Sequence, residues 1–113
     1  MKKVNIYENL VYSEEKVQIT PMLESDFAKE IRIVFKKEQI MKDHKTNYPI
    51  TVEIVDGKID FGLGNNTYNL IKGDIVSLEA SILHNLKAIE DSIVRLTLSK
   101  KDSAARVNGV LKL

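Results

Sequence analysis

The chain of 113 residues carries 17 basic and 16 acidic side chains, a formal charge of +1 with no block of like charge. That balance lacks the electrostatic footprint by which proteins grip nucleic acid or an anionic membrane, so neither is expected as a partner. The absence of cysteine rules out disulfides and thiolate metal sites, and no apolar run approaches the ~18 residues of a membrane span.

The amino end, MKKVNIYENLVYSEE, has two lysines and no apolar run behind them. A signal peptide is therefore not expected, and a soluble cytoplasmic protein is. The length fits one domain, 1–113, with one core. Residues 1–15 read as an arm, about 30–100 as the core and 103–113 as a terminal helix. Within the arm Val4, Ile6, Leu10, Val11 and Tyr12 are apolar points, and either a loose segment or a short edge strand accommodates them.

Lys16–Leu23 alternates Val17 and Ile19 and contains Pro21, which favours an edge strand. Glu24-Ser25-Asp26 turns the chain. Glu30–Phe35 sets Ile31, Ile33 and Phe35 against Glu30 and Arg32, the pattern of a half-buried strand. After a polar turn over Lys36–Gln39, Ile40–His44 is a further short strand. In the next strand Ile50, Val52 and Ile54 share one face, with Thr51 and Glu53 on the other. Lys58–Leu63 returns with Ile59, Phe61 and Leu63 on one face. Asp56-Gly57 between these two strands predicts a hairpin with a type I′ turn, in which both central residues take φ > 0.

Gly64-Asn65-Asn66 and Lys72-Gly73-Asp74 are turns of the kind that tolerate left-handed backbone. Thr67–Ile71, Asp74–Leu78, Leu83–Ile89 and Ile93–Leu98 are the remaining strands, with Glu90-Asp91-Ser92 as the last turn. In Ser103–Leu113 the period changes. Ala104, Val107, Val110 and Leu111 recur at helical spacing, with Asp102 or Ser103 as N-cap. Many short strands, close turn signals and one terminal helix predict an all-β sandwich or barrel.

Two stretches resemble the motifs of a small single-domain cupin of the RmlC-like, cupin type 2 kind. Its fold is a jelly-roll barrel, the double-stranded β-helix. In the first motif His44 stands at the first histidine and Gly57 at the closing glycine, while Glu38, Thr46 and Ile50 replace the opening glycine, the second histidine and the glutamate. In the second motif Gly73 and His84 match at the family's spacing, and Glu79, Ser81 and Ala88 replace its proline, glycine and asparagine. The resemblance spans roughly residues 30–100. It implies an inward-facing site in which three histidines and a glutamate hold a divalent metal such as Zn, Ni, Mn or Fe, and it implies a homodimer joined through N-terminal strands.

Only His44 and His84 of that ligand set are present. Neutral imidazole is the commonest metal ligand, yet two imidazoles fall short of the three or four ligands that protein sites usually supply. Thr46 and Glu79 are candidate helpers. Glu53, three residues beyond Ile50, points to the opposite face of its strand. The expected ligand pocket is bordered by His44, Thr46, Ile50, Val52 and His84. Three readings stand together: both histidines as hydrogen-bonded pocket walls without an ion, a metal held with help from Thr46, Glu79 or water, or one histidine simply exposed.

Asp43 reads as a solvated strand-end charge and Tyr48 as packing. No Ser-His-Asp or paired-carboxylate spacing identifies catalytic residues, and Gly62-x-Gly64 lacks the lysine and helix of a phosphate loop. A small cupin binding a small-molecule ligand, with or without a metal, is the first expectation. The alternatives are a metal-dependent enzyme of dioxygenase or isomerase type and a non-catalytic structural or sensing domain. The missing glutamate and histidine weigh against the enzyme, and fold alone does not decide function.

Overall fold

A computed structural model describes residues 1–100. They form nine strands: β1 (Gln18–Glu24), β2 (Ala28–Phe35), β3 (Ile40–His44), β4 (Ile50–Asp56), β5 (Lys58–Leu63), β6 (Asn66–Ile71), β7 (Ile75–Leu78), β8 (His84–Ala88) and β9 (Ser92–Ser99). A five-stranded sheet runs β1-β2-β9-β4-β7 and a four-stranded sheet runs β3-β8-β5-β6, with every pairing antiparallel. The amphipathic helix expected over Ser103–Leu113 lies outside the described residues.

The core follows from side-chain alternation, because successive residues of a strand point to opposite faces. The larger sheet contributes Ile33, Phe35, Ile50, Val52, Ile54 and Val94. The smaller contributes Ile59, Phe61, Leu70, Leu86 and Ala88, and all are buried in one cluster between the sheets. On the outer face of the larger sheet Glu53 meets Arg95 at 2.9 Å, and Arg95 also reaches Glu30 at 3.1 Å. Parity therefore places Glu53 correctly from sequence.

The predicted Asp56-Gly57 hairpin is not formed. β4 belongs to the larger sheet and β5 to the smaller, so this turn carries the chain from one sheet to the other. Gly57 has φ +93°, but Asp56 is not in the left-handed region, unlike the first central residue of a type I′ turn. What demands glycine here is proximity as well as φ, since a β-carbon would run into Ser92 Oγ and the backbone of Asp91 and Ser92. An Asp-Gly pair specifies a tight reversal; whether the flanking strands then pair is decided by which sheet each can bury its apolar face against.

True hairpins join β1 to β2 and β5 to β6, the second through Gly64 at φ +58°. The first 17 residues contain no strand. Part of this arm lies over the outer face of the larger sheet, held by the buried Arg32. Its guanidinium donates through Nη1 to the carbonyls of Ile6 (2.9 Å) and Glu8 (2.7 Å).

Candidate functional site

β3 and β8 lie side by side in the smaller sheet, and His44 is directly opposite His84 in their ladder. The register explains why both face inward. Met41 pairs with Leu86, and an irregularity between Met41 and His44 sets three residues of β3 against two of β8. A regular strand with Met41 inside would also turn Asp43 inside and His44 out. The extra residue re-aims the strand, as β-bulges do beside functional sites. Asp43 is thereby sent to the outer face, where its Oδ1 accepts from Asn85 Nδ2 at 2.7 Å.

The two rings meet edge to face, with centroids 4.2 Å apart and planes at 61°. His84 is buried and His44 partly so. Phe61 of β5 stacks on His84 at 5.6 Å with an interplanar angle of 12°. Each histidine is also tied to the backbone carbonyl two residues before it. His44 Nδ1 lies 2.7 Å from the Lys42 carbonyl, and His84 Nδ1 lies 2.9 Å from that of Ile82. A carbonyl only accepts, so in a neutral ring Nδ1 carries the proton and Nε2 keeps the lone pair. Burial holds the His84 pKa below its ordinary value and favours that neutral form; nearby His44 acts in the same direction, partly offset by the Ile82 carbonyl and Asp43.

Beyond Phe61 lies a cavity of about 180 Å³ between β5, β6 and β7. Phe61, Leu63, Tyr68, Leu70, Val76, Leu78 and the one small polar residue Ser77 line it, and its wall is mostly apolar. Phe61 thus separates the histidine pair from an apolar space.

The other expected site residues are placed differently. Ile50 and Val52 are each 3% exposed and belong to the core; neither lines the cavity beside Phe61. Thr46 Oγ1 donates to the Tyr48 carbonyl at 2.8 Å, and the Thr46 carbonyl accepts from Ser81 N at 2.8 Å. Thr46 therefore fastens the 45–49 loop to the 79–83 loop. Glu79 is exposed and lines a groove with Thr51, Ser77 and Thr97 on the outer face of the larger sheet. Among the described residues no group of three or more His, Cys, Asp or Glu is placed to hold a metal ion. The replacement of the motif's glutamate by Ile50 has no compensating carboxylate, because Glu53 and Glu79 both lie outside the sandwich. The alternation of Phe61 with Ile59 and Leu63 marks it as a core residue and carries no sign of the His84 contact.

Two antiparallel sheets in this strand order form a double-stranded β-helix, the fold found in cupins. No protein-family model matches the sequence, and no curated protein matches it. Solved structures do match in fold. An RmlC-like cupin protein from Desulfovibrio desulfuricans superposes with a TM-score of 0.80 at 22% identity, covering 88% of this chain and 96% of that one. A protein with a double-stranded β-helix domain from Klebsiella pneumoniae gives 0.75 at 17% identity, covering 87% and 90%. A cupin superfamily protein from Desulfitobacterium hafniense gives 0.75 at 12% identity, covering 81% and 84%. At these identities the likeness establishes the fold and nothing about the chemistry. No helix among the described residues is long and apolar enough to cross a membrane.

Proposed function

We propose that this cupin domain is a binding module for a small, largely apolar ligand bearing one hydrogen-bond donor. The donor is taken by a histidine Nε2, and the apolar part reaches past the Phe61 ring, which must turn aside, into the space lined by Leu63, Tyr68, Leu70, Val76 and Leu78. The single observation that carries this reading is the paired use of Nδ1. Both rings spend that atom on a backbone carbonyl, which leaves the Nε2 of each neutral ring as an acceptor, with the ring centroids 4.2 Å apart. The neighbouring half-open pocket, about 180 Å³, has room for a benzene-sized group, which a cavity of ~150 Å³ already accommodates.

A divalent metal fits this donor set only in part. Two neutral imidazoles are good ligands, and their Nδ1–H bonds to carbonyls are the outer-shell contacts that orient a ligating histidine. The remaining positions would fall to water or to the ligand itself, so we read any metal as weakly held and we read the domain as non-catalytic. A homodimer is part of the same proposal. β1 is the edge of the larger sheet, and Ile19, on the same face as the buried Ile33, is 57% exposed. That strip of apolar surface overhangs the core and suits a second copy of the chain.

Phenol, a benzene-sized ring with one donor, is the probe. Titration of isotopically labelled protein should move the His84 ring nitrogen and the Phe61 and Tyr68 ring signals together, with Nδ1–H tautomers in the free protein. Phenol shifts confined to surface residues would refute the reading.

A further inference from the structure

Arg32 is 4% exposed, and its charge has no acidic partner: no carboxylate among the described residues lies within ion-pair distance of it. Its cross-strand neighbour Arg95 takes both nearby carboxylates, Glu30 and Glu53. The guanidinium is instead held through one side. Nη1 donates to two carbonyls of the arm, Nη2 has only a long contact of 3.5 Å to Asn9 O, and the buried Nε has no hydrogen-bond partner. The edge formed by Nε and Nη2 is therefore the one left to bond.

A guanidinium edge of this kind matches a carboxylate oxygen for oxygen, giving two parallel charge-assisted hydrogen bonds. A buried, unpaired charge is also costly to keep, which favours an arrangement that supplies the counter-charge. Arg32 lines a half-open cavity of about 320 Å³ whose other lining residues include Gln18 and Thr20 from β1 and Glu8, Asn9 and Val11 from the arm, while Nε itself is covered in this arrangement. With a water's share of liquid volume at ~30 Å³, that holds a small organic acid. We propose that this cavity is a binding site for a small carboxylate, taken bidentately by the Nε–Nη2 edge of Arg32, with Gln18 and Thr20 as additional polar contacts. It lies on the outer face of the larger sheet, apart from the histidine pair. Its outer wall is the strandless arm, the element that must yield to admit the ligand. Glu8 is also among the residues lining the cavity, and its negative charge opposes the anion.

Calorimetric titration of the full chain with succinate tests the site. Binding of one succinate per chain is expected. Arg32→Lys keeps the charge but removes the two-pronged edge and should weaken binding roughly tenfold or more. Glu8→Gln should tighten it, and His84→Ala should leave it unchanged, which separates this site from the histidine pocket. Thr20→Val leaves the arm's fastening intact and should weaken binding even if the Arg32 variant folds poorly. Absence of succinate binding to the parent at millimolar concentration would overturn the proposal. So would equal affinity in the parent, the Glu8→Gln and the Thr20→Val proteins.

Discussion

His44 and His84 face one another across the β3–β8 ladder, ring centroids 4.2 Å apart, and each spends its Nδ1 on the carbonyl two residues before it. The arrangement leaves both Nε2 lone pairs for something else. With no third protein ligand among the described residues, Zn²⁺ or Ni²⁺ is expected to bind weakly, one ion per chain. His44→Ala and His84→Ala should each abolish that binding while leaving the far-ultraviolet circular dichroism unchanged. A parent protein that takes up no metal in a titration, or a double mutant that retains it, would eliminate the metal-holding role and leave ligand contact as the role of the pair.

The pH dependence of stability should carry the signature of His84. Burial lowers its pKa in the folded protein relative to about 6.5 in the unfolded chain. Below that value the unfolded state takes up the proton first, so stability falls with decreasing pH until the folded-state pKa is passed. Above it this residue adds no pH dependence. Urea unfolding at a series of pH values should show the decline in the parent and a smaller one in His84→Gln. Identical profiles would mean the ring is not protected from protonation by burial.

Phe61 supports the site from beneath, buried at 2% exposure and stacked on His84. Phe61→Ala should destabilise the fold by about 3–5 kcal/mol, the usual cost of emptying an aromatic position in a core. Loss of the ring should also bring the His84 pKa closer to its ordinary value, as water reaches the imidazole. Denaturant unfolding and a histidine NMR titration read the two effects separately; a stability change under about 1 kcal/mol would contradict the packing described.

Two glycines at positive φ should respond differently to alanine. At Gly64 (φ +58°) a β-carbon meets open space, so only the backbone penalty of about 1 kcal/mol applies. At Gly57 (φ +93°) the same β-carbon collides with Ser92 and Asp91, and the loss should exceed ~2 kcal/mol. Melting curves that rank the two variants in the opposite order would show that the corner between β4 and β5 is looser than drawn.

Self-association, if it occurs as proposed, should run through the face of β1 rather than its backbone edge. Pro21 and the register shift between Pro21 and Leu23 both interrupt that edge, a common protection against strand pairing. Light scattering at micromolar concentration should give the mass of two chains, and Ile19→Asp should give one. A single-chain mass for the parent would refute the dimer.

Most of the architecture was legible from local pattern. Alternation in Glu30–Phe35, Ile50–Ile54 and Lys58–Leu63 marked inner faces correctly, because a sheet buried on one side forces a period of two. The turns at Gly64 and Gly73 announced themselves by residue type. The Asp56-Gly57 pair shows where such reading stops. Its chemistry specifies the bend, but the neighbours of β4 and β5 come from β7, β9, β6 and β8, and no local signal encodes those choices.

The sequence by itself determined the β-strands of the described residues, the inward faces of several of them and the two histidines as the residues to watch. Each of these is set by side-chain chemistry at short range. Only the tertiary structure decided where those histidines point and what they touch. The irregularity in β3 turns His44 rather than Asp43 inward, β5 delivers Phe61 against His84, and Glu79 and Glu53 end on the outside where neither can complete a metal site. Arg32 reads as an ordinary outward-facing charge until the arm folds over it. Those outcomes depend on register and on sheet assignment, which arise from pairing between strands far apart in the chain, and a one-residue slip would have reversed them.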